Sequence, residues 1–185
     1  MKKAIKIIIL IAIICFTFTA LLAIYFSSWE DAEINNLNIY YNKVSKTCIA
    51  GQLEWDGNTE NMTFTVPDEY QGIKINSLGG SVGKGAPVLF SVTVPESLHP
   101  EVVSRTESEA CVGAVNKDTI TYTFTVKLGK NIRNFEMFTY KEYFMDANDN
   151  VIYIVETKYE CSEDNEYAYS KDGELYNKRN DQLMY

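Results

Sequence analysis

The chain has 185 residues, 46% of them apolar and 13% aromatic, enough to bury a core and so to exclude disorder over most of its length. Seventeen basic residues stand against 25 acidic ones, a formal charge of −8. With Lys2, Lys3 and Lys6 set aside, 14 basic residues remain against 25 acidic, about −11, so nucleic acid and anionic lipid headgroups, which need a basic patch, are poor partners for such a surface.

Residues 1–6 form a short cationic N-terminus, and residues 7–26 follow without a single charge. At 1.5 Å per residue, those twenty positions span roughly the 30 Å hydrocarbon core of a bilayer. Thirteen of them are Ile, Leu or Phe, which favour insertion by about 4–8 kcal/mol in all. Three lysines precede the segment while Glu30, Asp31 and Glu33 follow it. The positive-inside rule therefore places the N-terminus in the cytoplasm and the remaining chain outside, with Tyr25 and Trp29 at the outer headgroup layer. A cleaved signal peptide needs small residues at the third and first positions before the cut. Ala23, Ser27 and Ser28 each have a bulky residue two positions earlier, so the segment is expected to remain as a single-pass transmembrane anchor. Cys15 follows Ile13 and Ile14, too large for a lipobox, and reads as a membrane-buried residue.

Residues 27–36 read as a polar spacer. From 37 to 177, β-branched and aromatic runs bounded by Gly, Asn, Asp and Pro predict strands over 37–41, 47–55, 62–66, 88–94, 119–127, 132–144 and 151–161. In 119–127 the pattern has period two, with Ile120, Tyr122, Phe124 and Val126 on one face. The Asp and Asn residues at 146–150 predict a hairpin, and Lys171, Asp172 and Gly173 predict a second. At 95–103 Ser97 can cap no more than a turn of helix before Pro100. Residues 178–185 read as a fraying polar tail. The expected architecture is mainly β, an N-terminal transmembrane helix followed by one antiparallel β-sandwich or open-barrel-like extracytoplasmic domain.

Within 63–98, Val66-Pro67, Gly72-Ile73-Lys74-Ile75, Leu78-Gly79 and Val92-Thr93-Val94-Pro95 stand in sequence. This stretch resembles one unit of the BspA-type leucine-rich repeats of bacterial surface proteins. The likeness covers about a fifth of the chain and departs from the family at the glycine-rich segment 79–85. One unit cannot bury the faces of a solenoid, which needs about three. The resemblance implies a bacterial surface protein and carries no catalytic residue with it.

The familiar active-site chemistries fit poorly. Gly79, Gly80, Gly83, Lys84 and Gly85 suggest a phosphate cradle, but Leu78 stands where a P-loop has its first glycine, and Gly85 where it has Ser or Thr. They read as a surface loop that can contact a partner. Asp146, Asn148 and Asn150 start a calcium-loop pattern, which Val151 and Thr157 break. His99 is the only histidine, so no two-histidine zinc site or histidine-pair relay exists. Cys48, Cys111 and Cys161 lie outside the anchor, and an oxidising compartment allows one disulfide among them, worth about 3–4 kcal/mol. Twenty-five acidic residues make a glycosidase pair illegible. Tyr140, Tyr143, Tyr153, Tyr159, Tyr167, Tyr169 and Tyr176 offer an aromatic face for a protein or sugar, or simply favour strands. Asn61-Met62-Thr63 is a glycosylation sequon, relevant only in a eukaryotic secretory pathway.

The expectation is a membrane-anchored, non-enzymatic module that contacts a protein or a cell-envelope polymer, without cofactor, metal or nucleic acid. Its alternatives are an envelope hydrolase using carboxylates or a thiol, and an accessory subunit of a membrane complex.

Overall fold

In the computed structural model, residues 2–60, 62–83, 87–113 and 115–184 are described. The first element is an α-helix, α1, Lys2–Ser27. Its stretch Ile7–Ser27 has a mean hydropathy of 3.1, and none of it is buried against protein. Length and apolarity of this kind belong to membrane spans and to signal sequences alike. Inside it Thr17 Oγ1 donates to the Ile14 carbonyl at 2.9 Å and Thr19 Oγ1 to that of Cys15 at 3.0 Å, so these hydroxyls need no outside partner.

The helix ends where the sheet begins. Strand β1, Trp29–Ile34, pairs antiparallel with β2, Leu37–Asn42. Residues 27–36, expected as a spacer, therefore carry the first hairpin. Its turn is Asn35-Asn36, both at positive φ of 48° and 64°, the backbone that a two-residue hairpin requires and that Asn tolerates.

Strands β3 (Thr47–Glu54), β4 (Thr63–Thr65), β5 (Glu69–Tyr70), β6 (Ile73–Leu78) and β7 (Val92–Thr93) follow. After them come β8 (Ser104–Thr106), β9 (Ile120–Leu128), β10 (Asn134–Phe135), β11 (Lys141–Met145) and β12 (Val151–Cys161). A last ribbon joins β13 (Ala168–Lys171) to β14 (Glu174–Asn177). The first sheet runs β1-β2-β3-β6-β10, with β5 on β6 and β7 on β3; the second runs β4-β9-β12-β11-β8.

Both sheets are mixed, which corrects the antiparallel expectation. β3 pairs parallel to β6 and β6 to β10, while in the other sheet β4 pairs parallel to β9 and β9 to β12. The chain visits the two sheets alternately, β3, β4, β6, β9, β10, β12, and within each sheet these strands stack in chain order. Each crossing supplies the long connection that parallel neighbours require. The run at 132–144, expected as one strand, is divided by such a crossing. β10 belongs to the first sheet and β11 to the second, and between them Phe90 N–H donates to the Met137 carbonyl and Thr139 N–H to that of Phe90. The stretch that resembles a repeat unit is shared out similarly, with β4 in the second sheet and β7 in the first.

One apolar core joins the sheets. It takes Leu37, Ile39 and Ile75 from the first and Phe124, Val126 and Tyr159 from the second. Tyr159 is fully buried among Phe90, Phe138 and Tyr140, and its hydroxyl donates to the Thr139 carbonyl at 2.7 Å. Burial of such a ring contributes roughly 1.5–3 kcal/mol, provided the hydroxyl finds its partner. The two expected hairpins are in place: Asp149 takes φ 63° between β11 and β12, and Asp172-Gly173 take 56° and 88° between β13 and β14. The short helix at 95–103 is a single 3-10 turn, Glu96–Leu98, preceded by Pro95 rather than capped by Ser97. Residues 178–184 are tied down, since Met184 N–H donates to the Leu175 carbonyl at 2.9 Å and its side chain packs against the core.

Candidate functional site

A cleft of about 940 Å³ opens where β3 ends. Glu54 and Trp55 form one side, Pro95, Glu96 and Ser97 of the 3-10 turn another, and Val103 to Arg105 at β8 the third. β8 is an edge strand of its sheet, and Val103 is exposed beside it. The floor is aromatic. Phe144 stacks on Tyr153 with centroids 4.4 Å apart, Tyr153 lies 4.6 Å from the His99 ring, and Trp55 packs on Tyr122 at 5.2 Å. Alternation on β9 and β12 presents Tyr122 and Tyr153 to this side of the sheet, and Pro95 and Pro100 hold the turn that delivers His99.

The His99 ring is held at both nitrogens. Nε2 shares a hydrogen bond of 2.8 Å with the Tyr122 hydroxyl, and Nδ1 approaches Glu101 Oε1 at 3.4 Å. Burial pushes the phenols of Tyr122 and Tyr153 above their ordinary value, so neither is an activated nucleophile. No cysteine lines the cleft among the described residues. The Glu101–His99–Tyr122 chain fixes an aromatic ring in place, and among the described residues neither Ser97 nor Ser104, whose hydroxyls also line the cleft, is hydrogen-bonded to His99. At the rim Arg105 approaches Glu142 at 3.7 Å. Glu142 is only 2% exposed, and its burial raises the carboxyl pKa, with Arg105 opposing the rise.

The glycines lie elsewhere. Gly79 (φ 64°) and Gly80 (φ 130°) use backbone that disfavours other residues. Gly80 and Val88 exchange hydrogen bonds of 2.7 and 2.8 Å that close the loop. Gly83 lies against Phe26 and Trp29, where a Cβ would meet the Phe26 ring at 2.7 Å. Gly83 thus packs on the end of α1 and the start of β1; Lys84, Gly85 and the sequon residue Asn61 lie outside the described residues.

The cysteines are all free. Cys48 is buried in the core and Cys161 packs against it, with Sγ donating to the Ala168 carbonyl at 3.5 Å. Burial pushes both thiols up to about 11. Cys111 is exposed on a 3-10 turn, Glu109–Cys111. The three thiols stand on separate elements. The Asp146 carboxylate accepts backbone N–H groups of Asn148 and Asn150 at 2.8 and 3.0 Å and so closes the hairpin from within.

The sequence singled out His99 and Tyr153 but not their assembly with Trp55, Tyr122 and Phe144, five residues from five separate segments. Nothing local marks Glu142 as the buried partner of Arg105, since neighbours 37 positions apart meet only through the β11–β8 pairing.

The cleft lies at the opposite end of β3 from α1. β3 begins beside Asn42, whose Nδ2 donates to the Tyr25 carbonyl at 3.1 Å, and it ends at Glu54 in the cleft. Eight residues at 3.3 Å each put roughly 25 Å between the two. Comparison with protein-family models, curated proteins and solved structures finds no match.

Proposed function

We propose that this chain is a single-pass membrane protein with a cytoplasmic N-terminus, and that its two sheets form a sandwich outside the cytoplasm. That sandwich is a binding module, contacting a protein or a cell-envelope component through the His99 cleft. The observation that carries the reading is the position and make-up of this cleft. It is aromatic-floored, has no cysteine among the described residues that line it, and faces away from the helix by the length of a strand. Retention of the helix is supported by its end, where Tyr25, Phe26 and Trp29 are built into contacts with Asn42 and Gly83 that a cut between helix and sheet would break. The basic residues before the helix and acidic ones after it support the orientation.

The test is a photocrosslinking residue at Val103 in intact cells. The expected result is a discrete adduct with one envelope protein or polymer, weakened by Glu54→Lys, an exposed change that leaves the fold intact. Absence of any adduct, together with turnover of an envelope substrate by the purified chain, overturns the module in favour of an enzyme. Protease added to intact cells should remove the part after the helix; its survival overturns the orientation.

A further inference from the structure

A second cleft, about 510 Å³, lies at the other end of the first sheet and has the opposite charge. Lys46, Lys74, Lys130 and Arg133 all line it. These are four of the 14 basic residues after the helix, gathered in a part of the chain that carries about −11 by the same count. All four are exposed, and none forms an ion pair among the described residues; the pairs present engage Lys43, His99, Arg105, Lys127 and Lys141. Asp164 and Glu166 also border the cleft, which leaves its lining at +2, and Asp68, which accepts from Lys130 N–H, and Glu69, paired across from Lys74, stand next to it. Gathering like charges is unfavourable. Four cations without an ion pair among the described residues, converging on one cleft, offer charged donors to an anion from outside.

Asn76 gives an independent sign of a missing partner. It lines the same cleft, is only 9% exposed, and its buried Oδ1 has no hydrogen-bond partner. Rotation of the carboxamide exchanges this oxygen for an NH2 donor, which an anion's oxygen would accept from.

The location says which anion. Parallel pairing brings the N-terminal ends of β3, β6 and β10 side by side, in the register Cys48↔Ile75 and Ser77↔Asn134. Lys46, Lys74 and Arg133 immediately precede or open these strands, so they share one end of the sheet. That end is where α1 enters, because Trp29 pairs with Asn42 and Asn42 with Thr47. At about 4.8 Å per strand, β10 is roughly 15 Å from β2. The whole cationic cleft therefore lies beside the exit of the helix. We propose that it takes the phosphate groups of anionic phospholipids in the leaflet from which the helix emerges, seating the domain upright on the bilayer. This rests on the reading of α1 as a membrane span.

The full chain is placed in nanodiscs of phosphatidylcholine alone or mixed with phosphatidylglycerol. Acetylation rates of Lys46, Lys74 and Lys130 are read by peptide mass spectrometry against Lys171 as internal reference, and exchange of the helix amides is followed in the same samples. Phosphatidylglycerol should slow the three lysines by about fivefold each, and Lys74→Glu with Arg133→Glu should abolish the slowing at Lys46 and Lys130. Equal rates in both discs, with the helix amides protected, overturn the headgroup assignment alone. Slowing by free glycerol phosphate in phosphatidylcholine discs without slowing by phosphatidylglycerol overturns it in favour of a soluble anion. Unprotected helix amides overturn the membrane span and this inference with it.

Discussion

Asn42 is the joint between helix and sheet, and its replacement tests whether the domain is rigidly seated. The residue is fully buried. Its Nδ2 donates to the Tyr25 carbonyl at 3.1 Å, and its Oδ1 accepts from Val44 N–H and Ser45 N–H, both at 2.9 Å. Asn42→Ala removes all three bonds. The Val44 and Ser45 amides are in an exposed turn and can hydrate, and the Tyr25 carbonyl still accepts from Ser28 N–H and Oγ. The cost is therefore that of three net hydrogen bonds at about 1 kcal/mol each, some 2–3 kcal/mol, and not that of orphaned buried groups. This corresponds to about a 30- to 150-fold increase in local opening. Asn42→Asp separates the two roles: the carboxylate still closes the turn, but it cannot donate to Tyr25 and sits at the negative end of the helix dipole. Amide hydrogen exchange of the full chain in nanodiscs reads both. The Ala variant should accelerate exchange at residues 24–30 and at 43–46; the Asp variant only at 24–30. An Asp variant that matches the unmodified chain at 24–30 would refute the idea that this bond fastens the helix.

Gly79→Ala should destabilise by about 2–4 kcal/mol in chemical denaturation, since φ is 64° and a Cβ there collides with the Met137 carbonyl; a loss under half a kcal/mol would show that the loop relaxes freely. In thiol labelling of the native chain, exposed Cys111 should react first, with Cys48 and Cys161 about a hundredfold slower because burial holds them near 11. Denatured without reductant, all four cysteines should label, and two missing thiols would reveal a disulfide. Glu142 has a folded pKa raised by burial, so its contribution to stability is fully present below the unfolded value of about 4.3 and is lost as pH rises through the folded value. Glu142→Gln should remove that loss, gaining on the unmodified chain as pH rises from 4 toward neutral in urea titrations; parallel pH profiles would refute it.

The elements with a local signature were legible. β12 has the bounds that its β-branched and aromatic run suggests, and the two Asp-rich turns fall where left-handed backbone is tolerated. The first hairpin had a signature too, Asn35-Asn36 between Ile34 and Leu37, but the acidic residues of β1 disguised an edge strand as a spacer. Which sheet a strand joins had no local signal. At 132–144 both halves alternate as strands do, and only the contacts of Phe90 with residues 137 and 139 divide them. The same holds for the His99 cleft, where Tyr122 and Tyr153 are ordinary strand aromatics until parallel pairing of β9 with β12 brings them together.

Charge shows most clearly why pairing direction matters. Along the sequence, Lys46, Lys74 and Arg133 are widely separated basic residues in an acidic chain, whose net charge suggests a surface hostile to anions. In an antiparallel meander, residues preceding successive strands alternate between the two ends of the sheet. Parallel stacking of β3, β6 and β10 sends all three to one end, while Glu54, following the same strand geometry, lies at the other beside Glu96. The two clefts thus differ in charge, with four cations against Asp164 and Glu166 in the one nearer the helix and Glu54 and Glu96 against Arg105 in the far one. A negatively charged bilayer would attract the first end and repel the second. On the reading of α1 as a membrane span, both forces turn the domain the same way, holding the His99 cleft outward.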